Sequence, residues 1–382
     1  MRVLHVSHAW SEGGSGLYAN ALLTEHRRQG LAAEGFGPAD VPAAHGRGFT
    51  ASFANAAAER AFTARLRGVD VVHIHHLSGL SMALPALARA AGAAVVVTLH
   101  DYWLRCARGQ LVNLDDERCP GPSERRCAAC LSPHLWAPLP AALAERLPSR
   151  AAPVAARELA WTSIVAATHR FFAPSAHAAR RMGVPAEVTP LPLLRPVPPA
   201  PEPPRGPVRF LFLGSWIPTK GPDVALEAFA SLPAGAATLR MVGPSPSWQG
   251  STQWADALRQ RAQTTPGVSA PGAVPHAAVI AELHDADVLL VPSTWEETGS
   301  LVANEAQAAG LRVLVSDLGG LAEVAPTARL VEPGSAPAWR RAMIEEVRRG
   351  RGRDPVIGRA SMAEHAAEMV GRYRAILGGT PG

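Results

Sequence analysis

The stretch that decides the fold is residues 292–310, PSTWEETGSLVANEAQAAG. Apolar runs at Asp287 to Val291 and at Val313 to Ser316 flank it, and both are predicted as buried strands. The segment between them is predicted as a loop with two acids, followed by a short Ala-rich helix closed by a glycine. A loop that leaves a parallel strand and opens a helix is where open α/β sheets bind ligands. Glu297, in the loop, and Glu305, in the helix, are therefore candidate binding residues.

Outward from this stretch, strand-like and helix-like segments alternate. Predicted strands cover 3–7, 70–75, 94–99, 171–175, 209–213 and 238–242, and predicted helices cover 17–29, 81–91, 176–182, 222–230, 277–284, 336–349 and 361–377. This alternation is typical of βαβ units on parallel sheets. Residues 190–207 contain nine prolines in eighteen positions and are predicted to form a semi-rigid connector. The sequence predicts two α/β domains, with a ligand cleft between them.

Length, charge and composition limit the classes of protein to which the chain can belong. With 382 residues, the chain is long enough for two to three domains. It has no apolar run of about 18 residues, and its first residues resemble a strand rather than a signal peptide, so we expect a cytoplasmic protein. The net charge is +5, with arginines clustered at 125–126, 180–181 and 348–353. These clusters indicate either solvated surface or attraction to an anionic membrane face or a phosphorylated acceptor. Aromatics make up only 5%, which disfavours nucleic-acid binding.

Two glycine-bearing turns suit a phosphate. Gly13-Gly14-Ser15-Gly16 follows the first strand and precedes a helix, where backbone amides can approach an anion, although a plain turn explains it equally well. The turn FLGSWIPTKG at 212–221 combines a glycine, a hydroxyl and Lys220. It lacks the full P-loop pattern, so a nucleoside triphosphatase is disfavoured, and a solvated lysine is the alternative.

Histidines follow two of the predicted strands. His100 lies just past 94–99, where it could hydrogen-bond a sugar hydroxyl or a developing charge, or be satisfied by neighbouring backbone. His73, His75 and His76 are closely spaced at another strand end. We expect no metal there, because no carboxylate partner is placed with them.

All four cysteines, Cys106, Cys119, Cys127 and Cys130, lie within twenty-five residues of one another in a polar, loop-like segment. In a cytoplasmic protein this clustering fits a structural zinc site better than two disulfides. A metal would stabilise a segment with little apolar content. A redox-sensitive or disulfide pair and free thiols remain the alternatives.

The two glutamates suit a nucleotide-sugar site. A helix-borne carboxylate such as Glu305 can accept hydrogen bonds from both hydroxyls of a ribose. The helix start at Gly299, Ser300 and Leu301 offers amides and a positive dipole to a diphosphate. Glu297 would then face the sugar. Two solvated acids near a helix start are the alternative.

The motifs together resemble a family 4 glycosyltransferase, a retaining enzyme of the GT-B fold that uses nucleotide sugars. The resemblance spans nearly the whole chain, and its cysteine loop resembles a branch of bacterial members acting on cell-surface polysaccharides or glycosylated metabolites. The segments that carry it are 13–14, 70–75, 98–103, 173–175, 212–221, 292–306 and 316–320.

The resemblance implies a domain arrangement. An amino-terminal Rossmann-like acceptor-binding domain, residues 1–190 with the cysteine loop 106–130, would face a donor domain, residues 208–360, across a cleft. Residues 191–207 would link them, and residues 361–382 would form a helix that packs back on the first domain.

It also implies roles for single residues. Glu297, His100 and Lys220 would be catalytic. The donor would be bound by Gly14, Ser215, Lys220, Gly299, Ser300, Leu301 and Glu305. The family usually carries arginine where this chain has Ser215, so one positive charge on the diphosphate is missing unless Arg209, Arg240 or a helix end replaces it.

The implied reaction transfers a sugar, with retention, from a UDP- or GDP-sugar to a hydroxyl of a glycan, a lipid-linked acceptor or a small molecule. No divalent metal or other cofactor would take part in catalysis, and the enzyme could contact the inner face of the membrane peripherally. One alternative is a sugar-nucleotide epimerase or donor-binding pseudoenzyme of the same fold. Another is a zinc module in the cysteine loop that recognises a partner or nucleic acid.

Overall fold

The structure, a computed structural model, describes residues 1–41, 54–130 and 152–379. The chain divides into two compact units, one of Met1–Pro190 with Ala360–Gly382 and one of Leu191–Arg359. None of the helices in the described part of the chain combines the length and apolar character needed to cross a membrane.

The first unit is built on a six-stranded parallel sheet with the order β2-β1-β3-β4-β5-β6. Its strands are β1 Arg2–Val6, β2 Ala32–Phe36, β3 Val71–Ile74, β4 Ala94–Thr98, β5 Arg170–Ala173 and β6 Ala186–Val188. Its helices up to residue 190 are α1 Gly13–Arg28, α2 Ala56–Arg65, α3 Leu84–Ala90, α4 Glu124–Cys130, α5 Ala152–Ala167 and α6 Ala176–Met182. Every residue of β3 and β4 is buried, as expected for central parallel strands with both faces covered.

The second unit has a six-stranded parallel sheet with the order β12-β11-β10-β7-β8-β9. Its strands are β7 Val208–Leu213, β8 Ala237–Val242, β9 Val268–Gly272, β10 Val288–Val291, β11 Arg312–Ser316 and β12 Arg329–Val331. Its helices are α7 Pro222–Ala230, α8 Gln253–Thr264, α9 Val279–Asp285, α10 Leu301–Ala308, α11 Leu321–Val324 and α12 Ala336–Arg349. Alternate β7 residues enter two separate apolar clusters, Phe210 and Phe212 in one and Leu211 in the other. The sheet is therefore packed on both faces, and the predicted α/β class is confirmed.

Two segments complete the units. The proline-rich residues 191–207 belong to the second unit, where the Ala200 amide donates to the carbonyl of Ala309 at 2.8 Å and the Asn304 side chain donates to the carbonyl of Leu191 at 3.0 Å. Helix α13, Met362–Gly378, belongs to the first unit and packs against α1. Its amino end has a capping box formed by Ser361 and Glu364.

Candidate functional site

The predicted donor residues of the second unit follow two strands of its sheet: they lie in the loops after β7 and β10 and in helix α10. Strands β11, β10 and β7 are adjacent in the sheet, and their carboxyl ends therefore share one edge. The loop after β7 carries Lys220, the loop after β10 carries Glu297, and the loop after β11 carries Gly319. This edge is where parallel sheets bind ligands.

Lys220 and Glu297 form an ion pair. The Lys220 ammonium lies 2.6 Å from Glu297 Oε1, and the Ser293 hydroxyl donates to the same oxygen at 2.7 Å. The Glu297 side chain is 4% exposed and that of Lys220 is 31% exposed. Lys220 also lies 5.3 Å from the centroid of the Trp295 ring. The carboxylate is therefore held from two sides, while the lysine remains reachable from solvent.

Two glycines allow these loops to pack closely. A Cβ on Gly221 would lie 2.0 Å from the carbonyl oxygen of Pro292, and one on Gly319 would lie 2.5 Å from the Glu297 amide nitrogen. Their φ angles of +67° and +66° also favour glycine. The amide of Gly320 donates to the Glu297 carbonyl at 2.6 Å. These contacts fix the backbone beside both members of the ion pair. The sequence marks the two glycines only as ordinary turn residues.

Glu305 lies in the middle of α10 and has a different partner. Its Oε1 accepts from Arg195 at 3.1 Å, and its side chain is 6% exposed. Burial raises the pKa of Glu305, and the nearby Arg195 opposes that shift. Sequence reasoning missed Arg195, because it lies 110 residues away in the proline-rich segment.

The start of α10 holds the other predicted diphosphate contacts. Ser300 is the N-cap, and its hydroxyl accepts from the Ala303 amide at 3.3 Å. Its side chain therefore serves the helix, and any contact with a ligand would use backbone. Gly299 precedes this cap, and Leu301 is the first helical residue. Amides of the first turn have no acceptor within a helix, and such amides suit an anion.

Neither arginine considered as a substitute for a charge at Ser215 lies near that residue's loop. Arg240 pairs with Glu282 through two hydrogen bonds, and Arg209 lies at the opposite end of β7. An arginine does contact the residue that follows Ser215: the guanidinium of Arg259, in α8, lies 4.5 Å from the centroid of the Trp216 ring. It donates to Ser245 Oγ at 2.6 Å. No ion pair among the described residues includes Arg259, and sequence reasoning missed it.

In the first unit, the structure places Gly14 in the first turn of α1, exposed to solvent, and not in a turn that precedes the helix. His100 follows β4 and is half-buried. Its Nε2 lies 3.3 Å from Nδ1 of His75. Burial lowers the pKa of His100 to about 3, so the ring is neutral at physiological pH.

The histidines near β3 differ from expectation. The expectation that they have no carboxylate partner is wrong for His76, whose Nε2 lies 3.2 Å from an Asp101 oxygen. A different set, His5, His73 and His75, brings three ring nitrogens within 4.8 Å of one another. Both nitrogens of His73 already bond hydroxyls, those of Tyr373 at 2.6 Å and Thr98 at 2.7 Å.

The four cysteines line one cavity of about 420 Å³, together with Val154 and Arg157 among other residues. Burial raises the pKa of the Cys127 and Cys130 thiols, and the neighbouring thiols add to the rise. Within the described part of the chain, no three cysteine sulfurs lie within 4.8 Å of one another. A zinc with bonds of about 2.3 Å in a tetrahedron would draw them closer than this.

Comparison with known proteins relates part of the second unit to glycosyltransferases. Residues 207–348 match the model of the family described as "Glycosyl transferases group 1". A D-inositol 3-phosphate glycosyltransferase of Mycobacterium ulcerans (strain Agy99) is 32% identical over 165 residues, which cover 41% of this chain and 34% of that protein. The chain thus spans about a third of the length of the curated relatives it matches.

Solved structures match over almost the whole chain. HepE of Anabaena, crystallised with UDP and glucose, has a TM-score of 0.61 at 15% identity, covering 99% of this chain and 97% of its own. Sucrose-phosphate synthase of Thermosynechococcus elongatus has a TM-score of 0.59 at 17% identity, covering 98% and 96%. The fold is therefore the GT-B fold of glycosyltransferases, as the sequence predicted.

Proposed function

We propose that this chain is a glycosyltransferase that moves a sugar from a nucleoside diphosphate sugar to an acceptor hydroxyl with retention of configuration. The observation that carries the proposal is the Lys220–Glu297 ion pair, seated on loops after β7 and β10 inside the segment that matches the group 1 family. Glu305 and the start of α10 belong to the same segment.

The donor contacts follow from the chemistry of each group. The Glu305 carboxylate binds the ribose diol, and Arg195 keeps part of its charge compensated. The amides at Gly299, Ser300 and Leu301 receive the diphosphate. Lys220 has three N–H donors, so it can keep its bond to Glu297 and also donate to a phosphate oxygen.

The reaction is a same-face displacement. As the diphosphate departs, negative charge grows beside Lys220 and the α10 amides, which are already oriented to stabilise it. Glu297 faces the positive charge that develops at the anomeric carbon. The family resemblance assigns His100 to the donor sugar and Gly14 to the phosphate. The step requires no divalent metal.

We propose a nucleoside diphosphate sugar and a hydroxyl-bearing acceptor as the partners. A UDP-sugar is the first donor to test, because HepE was crystallised with UDP, and a GDP-sugar is the second. The acceptor is a glycan, a lipid-linked sugar or a small molecule, and not a nucleic acid. We propose a cytoplasmic location, with peripheral contact to the inner membrane face through the arginine clusters.

A panel of UDP-, GDP- and ADP-sugars tests the function. Each is incubated with the chain and candidate acceptors, and nucleoside diphosphate release and the anomeric configuration of the product are measured. Release with a retained anomer supports the proposal. Donor binding without release, for every donor and acceptor, would favour a pseudoenzyme, and isomerised donor would favour an epimerase. Arg259 supports transfer, because it supplies a cation at Trp216, the residue after Ser215, where the usual arginine is missing.

We also propose that the four cysteines bind one structural zinc. The support is their common cavity, which Cys127 and Cys130 enter from the same face of α4. We expect the purified chain to carry one zinc per molecule, and Cys127→Ser/Cys130→Ser to lose the metal and to unfold at a lower temperature. Metal analysis that finds no zinc, with four thiols reacting in the folded chain, would contradict this. A zinc-bearing segment that binds nucleic acid would make the loop a recognition module instead.

A further inference from the structure

A line of four histidines runs through the first unit from α13 to His100. His26 Nε2 lies 3.3 Å from the carbonyl oxygen of Ala366, and His26 Nδ1 lies 3.0 Å from His5 Nε2. His5 Nδ1 then lies 3.0 Å from His75 Nε2, and His75 Nδ1 lies 3.3 Å from His100 Nε2. Each contact joins the Nδ1 atom of one ring to the Nε2 atom of the next. We call His26, His5 and His75 the histidine relay.

The direction of these hydrogen bonds is set at one end. A backbone carbonyl can only accept, so His26 Nε2 carries a proton and donates to Ala366. In a neutral imidazole the other nitrogen is then an acceptor, and His26 Nδ1 accepts from His5 Nε2–H. The same rule applies to the next two rings. His5 Nδ1 therefore accepts from His75 Nε2–H, and His75 Nδ1 accepts from His100 Nε2–H.

Burial keeps these imidazole rings neutral, with one protonated nitrogen each. His5 and His26 are 0% exposed and His75 is 3% exposed. Burial lowers the pKa of His26 to about 4, and it holds the pKa values of His5 and His75 well below their ordinary value. An imidazole with one proton has one donor and one acceptor, so no member of the line can reverse without reversing all the others.

We propose that the histidine relay fixes His100 as the Nε2–H tautomer, so that its Nδ1 is a hydrogen-bond acceptor. This inference deepens the proposed function and rests on it for the identity of the ligand. An unprotonated ring nitrogen accepts a hydrogen bond from a hydroxyl and cannot donate one to a phosphate oxygen. His100 is therefore suited to a sugar hydroxyl, and the residues of the relay act as positioning residues.

The tautomer can be observed directly in the unliganded chain. Histidine-selective ¹⁵N labelling and long-range proton–nitrogen NMR at neutral pH distinguish a protonated ring nitrogen from an unprotonated one. The His100 signals are assigned from their loss in His100→Gln. We expect a protonated Nε2 and an unprotonated Nδ1 in the intact chain. A protonated Nδ1, or a rapid mixture of tautomers, would overturn the proposal whatever the enzyme activity.

A matched pair of substitutions tests the relay itself. In His5→Asn the side-chain oxygen takes the place of Nδ1 and still accepts from His75, whereas His5→Leu has a similar size and no acceptor. We expect His5→Asn to keep the His100 tautomer. In His5→Leu we expect His100 to exchange between its two tautomers. The value of kcat/KM for UDP-glucose should then fall about tenfold, the effect of one misdirected hydrogen bond. The affinity for UDP alone should not change, because UDP lacks the sugar.

The outcomes separate the two proposals. If the tautomer changes in His5→Leu but UDP-glucose is neither bound nor turned over by the intact chain, the relay stands and the donor assignment fails. If the chain transfers sugar and the tautomer of His100 is the same in both variants, the relay fails. Recovery of a stoichiometric metal that is lost in His5→Asn would assign His5, His73 and His75 to a metal site and overturn the relay.

Discussion

Glu297 and Glu305 lie in one loop-and-helix segment, yet their different partners predict different kinetic effects. Glu305→Gln removes the charge that Arg195 compensates and the second strong acceptor for a ribose diol. We expect a rise of about tenfold in KM for the donor with little change in kcat. Glu297→Gln leaves Lys220 unpaired beside the reacting centre, and we expect kcat to fall about 100-fold.

Steady-state kinetics with a saturating acceptor, together with donor binding by calorimetry, would measure both effects. Glu227→Gln, the same change at an exposed position of α7, is the matched control and should behave like the unaltered chain. Small and equal effects at Glu297 and Glu305 would remove both residues from the site.

Arg259 predicts an anion contact that compensates for Ser215. Its guanidinium is held over Trp216 and by Ser245, so it meets a ligand in a fixed geometry. We expect Arg259→Ala to raise the dissociation constant of UDP about tenfold and that of uridine far less, because only UDP carries the diphosphate. Arg261→Ala, an exposed arginine of the same helix, is the control. Equal weakening of UDP and uridine would assign Arg259 to the base or to packing.

The candidate site residues that the sequence identified are those that a local sequence pattern predicts. Lys220, Glu297 and Glu305 each follow from a strand, a turn and a helix start that are contiguous in the chain. Arg195 and Arg259 could not be found in this way, because their partners come from distant segments and only the folded unit brings them together. The same is true of the histidine relay, which joins β1, α1 and the residue after β3.

At the scale of elements, the close packing of loops predicts that enzyme activity is unusually sensitive to substitution of Gly319. In Gly319→Ala the new Cβ would lie 2.5 Å from the Glu297 amide nitrogen, so the loop that carries Glu297 must move. Gly334→Ala is a matched control, because Gly334 has φ +71° but nothing within 4 Å of an added Cβ. Both variants should lose about 1 kcal/mol of stability, because alanine is strained at a positive φ. Only Gly319→Ala should also lose activity, by about 100-fold.

Thermal unfolding and kinetics of the two glycine variants, made in parallel, would check this. Equal activity in both would show that the Glu297 loop tolerates displacement and would weaken its assignment to the reacting centre.

Secondary structure was predictable where capping residues or helix-ending glycines occur next to an apolar pattern. Helix α6 lies where predicted, because Ser175 caps its first turn and Gly183, with φ +71°, ends it. Strand β2, with the sequence AAEGF, was not predicted, since it lacks β-branched residues. It forms because it pairs in parallel with β1. Such pairing depends on segments distant in the chain, and short windows of sequence do not contain it.

For the whole molecule, the buried neutral histidines predict loss of stability in mild acid. Burial lowers the pKa values of His26 and His365 from 6.5 to about 4 and that of His100 to about 3. The unfolded chain therefore binds protons at a higher pH than the folded chain. The stability is fully present above about pH 6.5 and is lost as the pH falls toward the folded values.

Each such histidine should cost on the order of 1–2 kcal/mol of unfolding free energy by about pH 5. Thermal unfolding followed by circular dichroism between about pH 7.5 and pH 5 should show a falling midpoint, well above the range in which carboxylates with lowered pKa values, such as Glu34, begin to protonate. His365→Gln, which keeps a polar partner for Tyr18, removes one titrating group and should flatten the dependence by about one proton. A midpoint that is flat over this range would mean that the histidines are hydrated and charged in the folded chain, and it would also remove the neutral rings on which the relay depends.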